Sequence, residues 1–171
     1  INVNGQLVGS KGLPENLITS LEATYLHTYR PEAKLFVSLD LSHGRNLDHA
    51  HFMELGGESG MRGYRNHFQT GTRKYALVME YRYETALRPL NLFALGFVGF
   101  AETGRVWFAN TPELWSDADQ NDTLANVGVG IRLHSIRTGS DHTIHIDLAR
   151  PLTNRHSESA YELSFSVRKG F

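Results

Sequence analysis

Tyr161-Glu162-Leu163-Ser164-Phe165-Ser166-Val167-Arg168-Lys169-Gly170-Phe171 switches residue by residue between apolar and polar side chains. Tyr161, Leu163, Phe165, Val167 and Phe171 share one face, and Glu162, Ser164, Ser166 and Arg168 share the other. A period of two is that of an extended strand, whose successive side chains point to opposite sides. The segment predicts a strand with one apolar and one polar face.

The same alternation recurs toward the N-terminus. In 142–150, Ile144, Ile146 and Leu148 oppose His145 and Asp147. In 123–135, Val127, Val129, Ile131 and Leu133 oppose Gly128, Gly130, Arg132 and His134. In 72–84, Tyr75, Leu77, Met79, Tyr81 and Tyr83 oppose Glu80, Arg82 and Glu84, and in 34–42 Leu35, Val37, Leu39 and Leu41 oppose Ser38 and Asp40. Adding 1–8, 16–29, 92–104 and 160–171 gives eight candidate strands, 1–8 being the shortest. Several have about the 9–11 residues that a tilted strand needs to cross a bilayer.

The connections alternate as well. Short links fall at 30–32, 86–91 and 138–140; long ones at 9–15, 43–71, 108–122 and 150–159. Short turns at one end and long loops at the other is the habit of outer-membrane barrels. A soluble barrel or sandwich has the same alternation with its apolar face turned inward. The loop asymmetry, and a polar face rich in Gly, Ser, Glu, Arg and His, favour the membrane form. The expected fold is all-β: an antiparallel transmembrane β-barrel of about eight strands, one domain over 1–171. If Phe171 ends on the periplasmic side, the loop 43–71 is extracellular. Tyr25, Tyr29, Tyr81, Tyr83, Phe93 and Phe171 then form an aromatic girdle at the periplasmic interface.

Composition narrows the choice of function. The chain of 171 residues has 17 Lys and Arg against 18 Asp and Glu, a formal net charge of -1, which makes no electrostatic case for nucleic acid. It has no cysteine, so disulfide frameworks and thiolate metal sites are excluded. Its mean hydropathy of -0.34 is that of a water-soluble chain, yet a transmembrane barrel averages the same way because only alternate residues meet lipid.

One loop carries a distinctive run, Leu55-Gly56-Gly57-Glu58-Ser59-Gly60-Met61-Arg62-Gly63-Tyr64. It is followed by Glu80-Tyr81-Arg82-Tyr83 and by Phe97-Val98-Gly99-Phe100-Ala101-Glu102-Thr103-Gly104-Arg105-Val106-Trp107, and near the end by Ile146-Asp147-Leu148-Ala149-Arg150-Pro151-Leu152. In this order and spacing, these segments resemble the BamA/TamA-type superfamily of outer-membrane assembly and secretion barrels. The resemblance covers most of the chain, certainly 54–171. It implies the C-terminal eight strands of a sixteen-stranded barrel, without the polypeptide-transport-associated domains that usually precede it. Glu102 stands where the family usually has aspartate, and Lys169 where its terminal strand signal often has an aromatic or apolar residue.

The resemblance assigns roles. Gly56, Gly57, Met61, Arg62, Gly63 and Tyr64 form the loop motif, whose arginine folds back onto the inner wall to meet Glu80 and Glu102. Parity agrees, since both carboxylates oppose apolar residues of their own strands. Gly60 and Gly63 are expected to supply tight or positive-φ backbone. Phe165, Val167 and Phe171 form the terminal strand signal. The location implied is the bacterial outer membrane, and the activity is insertion or export of polypeptides. Its partners are outer-membrane lipid and lipopolysaccharide, client polypeptides, and a second copy joined through edge strands. The alternatives are a structural or lipid-perturbing barrel without clients, or a lipid-modifying enzyme built on Ser164, His145 and Asp147. No cofactor is expected. Two histidine groupings, Asp48 with His49 and His51, and His142 with His145 and Asp147, lack the geometry of a metal site: His142 and His145 diverge in a strand, and two ligands do not make a site. Trp107, Phe108 and Trp115 read as interface anchors.

Overall fold

A computed structural model of the chain describes residues 2–3, 6–7, 15–108, 122–136, 142–153 and 160–169. Asn2–Val3 (β1) and Gln6–Leu7 (β2) pair only with each other. The main strands are Leu17–Arg30 (β3), Ala33–Arg45 (β4), Arg73–Glu84 (β7), Phe93–Trp107 (β8), Leu124–Ser135 (β9), His142–Pro151 (β10) and Glu162–Lys169 (β11). Two three-residue strands, Met53–Leu55 (β5) and Gln69–Gly71 (β6), make a small hairpin between β4 and β7.

The seven long strands form one antiparallel sheet in the order β11-β10-β9-β8-β7-β4-β3. Each strand pairs with its neighbour in sequence, a meander that needs only local connections. The strands β4, β8 and β10 finish, and β7, β9 and β11 begin, at one end of the sheet. The strands β3, β7 and β9 finish, and β4, β8 and β10 begin, at the other. Seven of the eight expected strands occur in this sheet. Of the eighth, 1–8, the described residues Asn2–Val3 and Gln6–Leu7 form a separate two-stranded sheet. Among the described residues the sheet is open, with β3 and β11 as its edges. Seven antiparallel strands leave the two edges running in the same direction, so one edge cannot close on the other in an antiparallel ladder.

The register sorts the side chains cleanly. Leu35, Tyr81, Gly99, Val129, Leu148 and Leu163 lie in one rank across the sheet. Phe36, Glu80, Phe100, Gly128, Ala149 and Glu162 form a rank on the opposite face. The first face is apolar and exposed: Val129 is 61% accessible, Phe165 65% and Leu163 72%. The second, termed here the inner face, holds the buried polar groups Glu80, Glu102, Asn126, Arg132, Thr143 and Asp147.

The segment between β4 and β7 packs onto the inner face. Leu55, Met61, Tyr64 and Phe68 from this segment bury themselves against Ala76, Val106 and Leu124 of β7, β8 and β9. The β5–β6 hairpin is tied to the end of β8 by Val106 N, which donates to Gln69 Oε1 at 2.9 Å, and by Thr72 N, which donates to Trp107 O at 3.0 Å. The sheet and the loop thus form two layers, with an apolar core at the long-loop end and a charged cluster beneath it.

Candidate functional site

The loop turns sharply around its arginine. Gly56 and Gly60 have φ of +128° and +102°, where a side chain is strained, and Met61 also sits at positive φ. Gly63 does not have positive φ. It is required because a Cβ there would lie 2.7 Å from Asn126 Cβ and 3.2 Å from Pro151 N. Tyr64 anchors the turn. It is 1% exposed, and its hydroxyl donates to the Ala125 carbonyl at 2.8 Å and lies 2.9 Å from Thr153 Oγ1.

Arg62 is thereby aimed at the inner face. Its Nε donates to Glu102 Oε1 at 2.7 Å and its backbone N–H to Glu102 Oε2 at 2.7 Å. One terminal nitrogen donates to Glu80 Oε1 at 2.7 Å and the other to Asp147 Oδ2 at 3.1 Å. The guanidinium carbon stands 3.5 Å from the centre of the Phe100 ring. Every N–H edge of the fork has a carboxylate, and the flat side has an aromatic face, an arrangement lysine cannot reproduce.

Two further arginines balance the acids. Arg82 Nε donates to Glu80 Oε2 at 2.7 Å, and Arg132 grips both oxygens of Asp147. Asn126 Nδ2 donates to Glu102 Oε2 at 3.0 Å. Three guanidinium groups face three carboxylates, so the cluster is neutral as a whole. Burial opposes the charge on Arg62, but Glu102, Glu80 and Asp147 outweigh it and hold its pKa above the usual arginine value.

The expected partners Glu80 and Glu102 are both brought to Arg62. Asp147 and Arg132 belong to the same cluster and were not assigned to it from sequence. Parity placed Asp147 on the inner face, but it does not say which residue a loop will deliver there. Gly130 was the available signal: a Cβ at this position would lie on the Asp147 carboxylate, so the glycine makes room for the Asp147–Arg132 pair.

The other candidates separate. Asp147 is committed to two arginines, and in the register it faces Ser164 while His145 faces Ser166. That leaves Asp147 no role as the orienting acid of a Ser164–His145 nucleophile pair. His51 is hydrogen-bonded to Asp48, and the His49 ring packs against Phe52 at 4.9 Å. Among the described residues, no three His, Asp or Glu side chains converge as a metal site would require. Phe165 and Val167 lie on the exposed apolar face of β11, while Phe171 and Trp115 fall outside the described residues. Trp107 packs edge-on to Tyr75 at 6.2 Å, and Phe108 edge-on to Phe52 at 5.0 Å. A polar cleft separates the loop from the inner face of β11, lined by Arg62, Arg65, Glu162, Ser164 and Arg168.

No protein-family model matches the chain, and neither does any curated protein.

Proposed function

We propose that this chain forms part of the wall of a BamA/TamA-type β-barrel in a bacterial outer membrane, in a protein that inserts or exports polypeptides. The observation that carries the membrane reading is the inverted polarity of the sheet. A soluble sheet buries its apolar face and leaves charge in water. Here Glu80, Glu102, Asp147 and Arg132 are buried and ion-paired, with Arg62 and Arg82 half-buried among them, while Leu21, Met79, Phe97, Val129, Leu148, Leu163, Phe165 and Val167 are exposed. A continuous apolar face of this size is costly in water and well matched to acyl chains. Tyr25, Tyr29, Tyr81 and Tyr83, exposed toward the short-turn end, suit the periplasmic interface, and the long loops then face outward.

What supports the family within that class is the loop arginine, delivered by its Gly-rich turn to carboxylates on three different strands. In this reading Arg62 is an anchor and performs no chemistry. Assembly activity would use an edge: β11 has one paired side and one open side, the geometry by which an extended client strand is recruited.

Two measurements on the chain reconstituted in phospholipid vesicles test the proposal. Nitroxides at Val129 and Phe165 are expected to be reached by oxygen and shielded from a water-soluble nickel reagent. The reverse overturns the membrane reading. The vesicles are then expected to speed the folding of an unfolded eight-stranded barrel protein several-fold over empty ones. Lipid-facing labels with no acceleration would instead mean a structural barrel without clients.

A further inference from the structure

Along its inner face β11 carries Glu162, Ser164, Ser166 and Arg168 in turn, a charge at each end with hydroxyls between. On the side paired with β10, Glu162 stands opposite Ala149 and Arg168 opposite Thr143, so neither has a counter-charge directly across that ladder. Of the charged groups nearby, Asp147 is committed to Arg62 and Arg132, and the Arg65 guanidinium lies 5.7 Å from the Phe68 ring. His145 sits diagonal to Arg168, and Asp141 falls outside the described residues. The other side of β11 is an open ladder among the described residues. Its inner residues line the cleft beneath the loop, where Arg168 is exposed and Glu162, Ser164 and Ser166 are half-buried.

β11 begins with Glu162 at the long-loop end and reaches Arg168 at the short-turn end. A strand added antiparallel to its open side runs the opposite way, so its first inward residue meets Arg168 and its last meets Glu162. Opposite charges directly across a ladder stabilise it, and like charges there destabilise it. Resting on the edge recruitment proposed above, we infer that Glu162 and Arg168 select the strand that pairs with β11 by its charge order. The strand has an acid at its start and a base six residues later, the spacing of Arg168 from Glu162. Its two inward positions between them are small and polar, to suit Ser166 and Ser164, and its outward positions are apolar, to continue Val167, Phe165 and Leu163.

The same two charges fix the register. A slip of one residue turns the apolar set of the added strand onto the polar face, and a slip of two separates both charge pairs. The sequence of β11 itself satisfies the pattern. Read antiparallel against itself, Glu162 meets Arg168, Leu163 meets Val167, Ser164 meets Ser166 and Phe165 meets Phe165. A free peptide of this sequence is therefore a ready probe of the edge.

The test uses the full chain in phospholipid nanodiscs and two fluorescent peptides: the sequence Tyr161–Lys169, and the same sequence with its Glu and Arg exchanged. The first is expected to bind about tenfold more tightly than the second. Carrying Glu162→Arg and Arg168→Glu together, the chain is expected to prefer the exchanged peptide instead, a reversal that loss of folding cannot produce. Arg168→Gln alone, a milder change, is expected to reduce the preference about three-fold. Register is read by crosslinking. Ser164→Cys in the chain is expected to form a disulfide with a peptide bearing cysteine in place of its Ser166, and much less with one bearing it in place of its Ser164. Equal binding of the two peptides overturns the inference, as does an unchanged preference in Arg168→Gln or equal crosslinking at the two peptide positions. The folding assay proposed above separates the failures. Vesicles that still speed barrel folding without a charge preference remove only the selection by Glu162 and Arg168, whereas vesicles that do not speed it remove edge recruitment and the selection with it.

Discussion

Arg62 carries more structure than any other side chain of this molecule, because one guanidinium ties β7, β8 and β10 to the loop. Arg62→Ala strands three carboxylates with only Arg82 and Arg132 to balance them. Losing one member of a buried ion-paired group costs about 3–5 kcal/mol. The expected result is a loop between β5 and β6 that is cut early in limited proteolysis, while strand content by circular dichroism changes little. Wild-type resistance in the variant would mean that the apolar contacts of Met61 and Tyr64 hold the loop unaided. Arg62→Lys is expected to recover only part of the loss, since an ammonium cannot span Glu80, Glu102 and Asp147 together. Gly130→Ala tests the same cluster from the wall. Its methyl would occupy the Asp147 carboxylate position, at an expected cost of about 1–3 kcal/mol measured by urea unfolding.

Among the elements, the sheet face and the loop turns respond to different insults. Val129→Arg and Phe165→Arg put charge on the exposed apolar face and are expected to reduce folding into bilayers by about 2–4 kcal/mol near the midplane, read from the folded fraction in urea. Ser164→Arg, on the inner side of β11, is expected to do much less. Equal losses at Phe165 and Ser164 would show that the two faces of β11 are not distinct. The turn after β4 answers to pH instead. Asp48 is held below its ordinary value of 3.8 by the hydrogen bonds from His51 and Asn16. A carboxylate with a depressed pKa stabilises the fold above its unfolded value and loses that contribution as pH falls through the folded one. The Asn16 side-chain amide and the Ala50 backbone amide, both bound to Asp48, are expected to shift together by NMR with a midpoint below pH 3.8. A midpoint at or above that value would mean the contacts do not form in solution.

What could be read beforehand follows from the same physics. Strands of ten or more residues advertise themselves through alternation, as 72–84 and 123–135 do, and β7 and β9 lie there. The β5–β6 hairpin was invisible because three residues contain no measurable period. For the charged cluster, parity placed Glu80 and Glu102 on the inner face and the family motif supplied Arg62. Asp147 and Arg132 stayed unassigned, since alternation identifies a face and never the neighbour that a loop brings to it.

For the whole molecule, the open sheet sets a rule of parity. Because β3 and β11 run the same way, any set of strands that joins them by antiparallel pairing throughout contains an odd number of members. A second copy meets the rule only upside down, with β3 against β3 and β11 against β11, which would turn its long loops to the opposite side of the membrane. Either way, cysteines replacing Tyr25 and Phe165 are expected not to crosslink within one chain in a bilayer. An efficient intramolecular crosslink would mean that the two edges meet directly. Unpaired edges are not tolerated in hydrocarbon, so the chain in its membrane is expected to have both edges occupied.

The three carboxylates that receive Arg62 lie 18, 40 and 85 residues beyond it in the chain. That spacing imposes a timetable. If the strands pair in chain order as the sheet is inserted, Glu80 meets the arginine early and Glu102 later, and Asp147 arrives only with β10, near the end. Until then the guanidinium has an incomplete set of counter-charges, and the loop has every reason to keep leaving the wall. On that order, locking the loop is a late event. A chain halted before β10 would hold most of its strands and still have an unlatched loop.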